Sequence, residues 1–126
     1  MDLDLTKAEE KAMKILWSIK KGLIRDVVKE YDEPKPAYTT VATIINILEK
    51  KGFVERKPIA NSFEYYPLIQ KEEYTTGFMK SFVRNYFSNS FKSMVSEFSN
   101  KDELSTMEME ELIEHFKNKI KDKKNK

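Results

Sequence analysis

Ala37-Tyr38-Thr39-Thr40-Val41-Ala42-Thr43-Ile44-Ile45-Asn46-Ile47-Leu48-Glu49-Lys50-Lys51-Gly52 is the stretch on which the fold turns. Val41, Ile44, Ile45 and Leu48 stand at i, i+3, i+4 and i+7, the spacing of a helical stripe that faces a core. This predicts a helix over 38–51, stopped by Gly52. At about 100° per residue, Thr39, Thr43, Asn46 and Lys50 gather on the other side, within about 60° of one another. A solvent-facing helix selected for stability alone favours Glu, Lys, Gln and Ala. Here threonines take that face, with weak helix propensity but short hydroxyls and methyls. Such side chains let a helix approach another surface closely: threonine donates to phosphate, and its methyl packs on a thymine methyl. An ordinary amphipathic helix with indifferent threonines would account for the same residues, so the neighbouring segments have to decide.

Upstream, Glu33-Pro34-Lys35-Pro36 separates this helix from an earlier one, because each proline lacks an amide donor and biases the residue before it toward extended geometry. A short helix over 24–31 precedes the turn, with Val27, Val28 and Tyr31 facing inward. The first helix opens at Leu5 and Thr6, where Thr6 and Glu9 have the spacing of a capping box. Ala12, Met13, Leu16 and Trp17 form its apolar stripe, and Gly22 is expected at its C-terminal cap. Downstream, Phe53-Val54-Glu55-Arg56-Lys57 and Phe63-Glu64-Tyr65-Tyr66-Pro67 read as two strands. Pro58-Ile59-Ala60-Asn61-Ser62 lies between them, with Pro58 and Pro67 as stops.

Three short helices and a hairpin within residues 1–70 spell a winged helix-turn-helix domain in a mainly α protein. In that layout the third helix enters the major groove and the hairpin tip reaches the neighbouring backbone. The DNA-binding residues expected on the helix are Thr39, Thr40, Thr43, Asn46, Lys50 and Lys51. Those expected on the wing are Arg56, Lys57, Asn61 and Ser62.

Residues 71–126 are helical in period and rich in aromatics. Tyr74, Phe78, Phe82 and Tyr86 fall at successive i+4 steps, with Met79, Val83, Phe87 and Phe91 as a second stripe and Met94, Val95 and Phe98 continuing the run. Two apolar stripes on a long helix exceed what one small winged domain can cover. Aromatics and methionine are also the types enriched at interfaces. The region therefore reads as a helical dimerisation region, with Tyr74, Phe78, Phe82, Tyr86, Phe87, Met94, Phe98, Leu112 and Phe116 as its contact residues. A self-contained helical core in a monomer, or a ligand box built from the aromatics, are the other readings. A last helix opens on a second capping box, Ser105 with Glu108. Its acidic first turns and lysine-rich end complement the helix dipole.

Composition narrows the function. The chain has 126 residues, 40% hydrophobic, and no cysteine, so disulfides and thiolate metal sites are excluded and a reducing compartment is expected. Acids occupy the N-terminus where a secretory signal would be basic, and no apolar run reaches the roughly 18 residues needed to span a bilayer. A cytoplasmic protein without membrane insertion is expected. With 23 basic and 21 acidic residues the net charge is only +2, so a DNA partner requires the cations to be gathered on one face. The run 117–126 holds six lysines and one acid, which reads as a solvated helix end.

No enzyme, cofactor or metal is expected. His115 is the lone histidine, the three glycines form no phosphate-cradling loop, and no base or nucleophile stands beside the acids. The rival to DNA binding is a winged helix that binds protein without specific DNA recognition. Ile47, beside the threonines, is the one residue that favours it.

Leu5-Thr6-Lys7-Ala8-Glu9-Glu10, Ile15-Leu16-Trp17, Ala37-Tyr38-Thr39-Thr40-Val41-Ala42-Thr43-Ile44, Leu48-Glu49-Lys50-Lys51-Gly52 and Tyr65-Tyr66-Pro67 together resemble the BlaI/MecI penicillinase-repressor family, in order and through nearly the whole chain. The resemblance implies a homodimeric winged-helix repressor on a palindromic DNA operator. It also implies control by a membrane-bound sensor protease whose signal leads to cleavage in the C-terminal helices. In the family's penicillinase repressors the cut falls at an Asn-Phe bond after a Ser-Met-Val segment. Here Ser93-Met94-Val95-Ser96-Glu97-Phe98 takes that place, so the corresponding bond is Glu97–Phe98, with glutamate for asparagine. An arginine common late in the family's third helix is replaced by Ile47. The family's copper-responsive branch uses a cysteine-rich metal site, which this chain lacks.

Overall fold

The computed structural model describes residues 4–125. Helix α1 (Lys7–Ile19) starts on its capping box: Thr6 Oγ1 accepts from the Glu9 amide and Glu9 Oε1 from the Thr6 amide, both at 3.1 Å. Two donors that helix geometry would leave orphaned are thereby satisfied. The helix ends short of the expected glycine. Lys20 takes the left-handed position at φ 74°, and its amide returns to Leu16 O at 2.7 Å. Gly22 does something else. It pairs with Tyr65 as a one-residue third strand, with bonds of 3.0 and 2.8 Å between their backbones. A Cβ at Gly22 would stand 3.1 Å from both Asp26 Cβ and Ile19 Cδ1, so the position needs glycine for close approach rather than for a helix cap.

Helix α2 (Ile24–Lys29) is shorter than the sequence suggests. Ile24 and Val27 carry its packing, with Val28 and Tyr31 half-buried. Across the proline turn, α3 (Tyr38–Lys50) drives Val41, Ile45 and Leu48 to 0% exposure, as the stripe predicted. They join Met13, Leu16, Val27 and Phe53 in one core. Cutting one of these large side chains back to alanine costs about 2–5 kcal/mol.

The hairpin of β1 (Val54–Ile59) and β2 (Ser62–Pro67) is longer than expected, with only Ala60 and Asn61 in its turn. Ala60 adopts φ 53° there. Pro67 ends β2 as expected, paired with Val54, but Pro58 does not stop β1: it pairs with Phe63 inside the ladder. The register explains this. Tyr65 spends its backbone groups on Gly22, so Arg56 opposite Tyr65 is a non-hydrogen-bonded pair. Antiparallel pairs alternate, which makes Pro58–Phe63 and Val54–Pro67 non-hydrogen-bonded as well. A missing amide donor costs nothing there. Three helices and this hairpin form a winged helix-turn-helix, followed by a helical region.

Beyond the hairpin, α4 (Lys71–Tyr86), α5 (Phe91–Asn100) and α6 (Thr106–Lys124) are separate helices. The continuous stripe read from the sequence is interrupted, since Ser88 and Asn89 take φ 51° and 63°, and Ser90 then caps α5 by accepting from the Ser93 amide at 3.1 Å. The second capping box is present, with Ser105 and Glu108 exchanging bonds of 3.1 Å.

The chain forms two compact units, one up to Met79 and one from Lys80 onward. The first two turns of α4 belong to the first unit. Tyr74 is 6% exposed in its core, near Trp17 and Phe53 with ring centroids 5.6 and 6.2 Å away. In the second unit Val83 and Met94 are the buried hydrophobics among the described residues. None of the described helices is long and apolar enough to cross a membrane.

Candidate nucleic-acid interface

Helix α3 is held on the core by one face and exposes the other. Thr39, Thr40, Thr43, Asn46 and Lys50 are all exposed. Of the expected core stripe, Ile44 is half-buried, at the border between the two faces. Thr43 Oγ1 donates back to Thr39 O at 3.0 Å, so its hydroxyl keeps acceptor capacity outward while its proton is used within the helix. Ile47 is 38% exposed beside these groups.

The expected cations differ in what they are free to do. Lys51 is committed to the fold: its Nζ lies 2.6 Å from Glu9 Oε1, with Glu9 6% exposed. Burial alone would raise the Glu9 carboxyl, but hydrogen bonds from Lys51 and the Thr6 amide, with the Lys51 charge, outweigh it and hold the pKa below its ordinary value. That pair ties the end of α3 to the first turn of α1. Arg56 faces Glu49 at 3.4 Å and stacks over Phe63 at 4.4 Å. Lys57 faces Glu64 at 3.8 Å. Asn61 and Ser62 are exposed at the wing tip.

Two residues that the sequence reading did not single out stand beside this face. Arg25 on α2 is exposed, and Tyr38, the first residue of α3, is 56% exposed. Both line a hollow of about 570 Å³ that also takes in Ile59, Ala60 and Ser62 of the wing. In the sequence, Arg25 is marked only as a cation outside the core stripe of α2.

The expected dimerisation residues fall into two groups. Tyr74 is a core residue of the first unit, its hydroxyl donating to Glu10 Oε2 at 3.1 Å. Burial first, then that bond and the nearby negative charge, push its pKa up to about 12. Phe78, Tyr86, Phe98 and Phe116 are 51%, 72%, 45% and 55% exposed. Phe82, Phe87 and Leu112 are half-buried, and Met94 is buried. Phe82 packs against Tyr86 and Phe87 with centroids 5.1 and 5.8 Å apart. The Glu97–Phe98 bond lies inside α5, where Glu97 O accepts from the Lys101 amide at 3.2 Å and Glu97 pairs with Lys101 Nζ at 2.9 Å. No group of three or more His, Cys, Asp or Glu is placed to hold a metal among the described residues.

The family model described as penicillinase repressor matches residues 5–118. The methicillin resistance regulatory protein MecI of Staphylococcus aureus (strain N315) is 32% identical over 110 residues, covering 86% of this chain and 89% of that protein. A penicillinase repressor of Bacillus licheniformis is 29% identical over 122 residues, covering 94% and 95%. Among solved structures, the oxidized form of MarR from E. coli aligns with a TM-score of 0.43 and 20% identity, covering 94% of this chain and 77% of that one.

Proposed function

The chain belongs to the penicillinase repressor family, and from that premise we propose that it is a DNA-binding transcriptional repressor acting as a homodimer on a palindromic operator. The observation that carries the reading is the exposed face of α3, small and hydroxyl-rich, opposite the buried Val41, Ile45 and Leu48. Thr39, Thr43 and Asn46 meet base edges, Thr40 and Lys50 meet phosphate, and Asn61 and Ser62 bring the wing to the neighbouring backbone. Lys51 keeps α3 in place through Glu9, while Arg56 and Lys57 reach DNA only by exchanging their present carboxylate partners.

The second unit supports pairing. Tyr86, Phe91, Phe98, Ile113, Phe116 and Ile120 are each at least 45% exposed, more apolar surface than a helical segment with so few buried residues keeps in water. A two-fold contact between copies covers it. Release follows from cleavage at Glu97–Phe98, signalled by a membrane-bound sensor protease, which removes α6 from the dimer. No catalysis by the chain itself enters this scheme.

Exposed Ile47 favours the protein-binding reading, and one experiment separates the two. The intact protein is titrated by mobility shift against the DNA upstream of its own gene and a scrambled duplex. Tighter binding to the upstream DNA supports the repressor; equal binding to both, unchanged by Asn46→Ala, overturns it.

A further inference from the structure

The hollow between α2, the start of α3 and the wing tip lies next to the reading face but holds none of its base-reading residues. Its character comes from Arg25, Tyr38 and the wing residues Ile59, Ala60 and Ser62, around about 570 Å³ of open space. Two carboxylates share the wall, and both are engaged. Asp26 Oδ2 accepts from the Leu23 amide at 2.9 Å, and Glu64 faces Lys57 at 3.8 Å. Arg25 has no ion pair among the described residues. Lys51, Arg56 and Lys57, by contrast, all face carboxylates. The Tyr38 hydroxyl also has no hydrogen-bond partner among the described residues.

An arginine fork suits a phosphate. A tyrosine ring suits the apolar flank of a deoxyribose, and its hydroxyl the next phosphate along; Ile59, 44% exposed, extends the apolar side. Alternation of anion-seeking and apolar groups is the pattern that a sugar-phosphate strand presents in reverse. The hollow includes Tyr38, the first residue of α3, and Thr39 follows it in the chain.

We infer that this hollow seats one strand's backbone, with Arg25 bound to a phosphate and Tyr38 against the adjoining sugar and phosphate. The inference rests on the DNA-binding reading above. The strand is then clasped from both banks, by α2 on one side and the wing tip on the other, which sets the register of α3 without reading a base. The cation that anchors the unit is on α2 rather than in the wing.

The test uses the full chain with Arg25→Ala, Arg25→Lys, Tyr38→Phe and Lys57→Ala. Each is titrated against the duplex upstream of the chain's own gene and a scrambled duplex of equal length, across a salt series. Arg25→Ala should weaken binding to both duplexes and lower the salt slope by about one, so that the wild-type advantage shrinks about threefold between 50 and 200 mM salt. Arg25→Lys should restore the slope. Tyr38→Phe should weaken both duplexes at unchanged slope, and Lys57→Ala should change the slope less than Arg25→Ala. If the wild type prefers its upstream duplex and Arg25→Ala binds both with unaltered slope, the inference fails while the repressor reading stands. Loss confined to the upstream duplex would make Arg25 a base reader and overturn the backbone assignment. A wild type that binds neither duplex overturns both.

Discussion

Replacing Phe116 with aspartate puts the pairing of two copies to a direct test. Phe116 lies on α6 at 55% exposure, with Ile113 and Ile120 on the same helix at 54% and 53%. A phenylalanine offers about 150–250 Å² for burial, so covering the exposed half removes about 100 Å² from water. At roughly 25 cal/mol per Å² that is about 2.5 kcal/mol in each protomer. Two-fold symmetry counts the residue twice, giving about 5 kcal/mol for the dimer, and each 1.4 kcal/mol is tenfold in the dissociation constant. Aspartate adds a desolvation cost on top. The dimer should therefore weaken by at least about a thousandfold. Sedimentation equilibrium measures this, and circular dichroism checks that the winged unit, which does not contain Phe116, stays folded. A Phe116→Asp protein with the wild-type dimer constant would show that α6 lies outside the contact. An intact dimer dissociating only about tenfold would place Phe116 at its rim.

Three further outcomes are expected. Thr43→Ala should leave thermal stability unchanged or slightly raised, because alanine is the better helix former. It should cost about 1–3 kcal/mol on the operator and little on scrambled DNA, read by mobility shift; equal loss on both would remove Thr43 from the base contacts. Glu9, with its pKa lowered in the fold from an ordinary 4.5, binds fewer protons folded than unfolded, so its contribution is present above that ordinary value and lost as pH falls through the folded pKa. Thermal melts of wild type should therefore fall more steeply on acidification below about pH 4.5 than those of Glu9→Gln; parallel curves would deny the Glu9–Lys51 pair this role. A chain ending at Glu97 should keep a folded winged unit yet lose dimerisation and operator affinity together, and a truncated protein still dimeric and tightly bound would remove α6 from any release mechanism.

What the sequence made legible was local. Capping boxes at Thr6 and Ser105 follow from fixed spacing between a hydroxyl and a carboxylate, and the α3 stripe follows from helix period. These features need no knowledge of the rest of the chain. The errors lie where a distant partner decides. Gly22 resembled a helix cap by position, but Tyr65, far along the chain, gave it a strand's role. Pro58 resembled a strand stop, but the same Gly22–Tyr65 pairing sets the register in which a proline is harmless. Lys51, Arg56 and Lys57 resembled free cations because their acidic partners, Glu9, Glu49 and Glu64, belong to other turns or strands. Tyr74 fits the i+4 aromatic series of its successors, but Trp17 and Phe53 take it into the first unit. The break at Ser88 and Asn89 had no glycine or proline to announce it, since both residues are left-handed there without either.

The internal pairing of those cations bears on where control is exerted. The chain carries a net charge of only +2, and three of the cations near the reading helix already face carboxylates. Each exchange of a carboxylate for a phosphate returns less than a free lysine would, because the first partner must be given up. On the proposed reading, a single winged unit on a half-site is therefore a weak binder, held chiefly by Arg25, Lys50 and the polar face of α3. Joining two units makes the second contact intramolecular, and avidity of about 10²–10⁴ arises without any new contact to DNA. For the proposed dimeric repressor, separating the copies would abolish repression more completely than any adjustment of the reading face. The Glu97–Phe98 bond suits that purpose by its place in the chain, since everything after it, Leu112 and Phe116 included, leaves with the cut. It is also helical and hydrogen-bonded at rest, and a protease needs the segment extended. On the proposed release, opening of α5 must precede cleavage, and the stability of that one helix would set how readily the chain is cut.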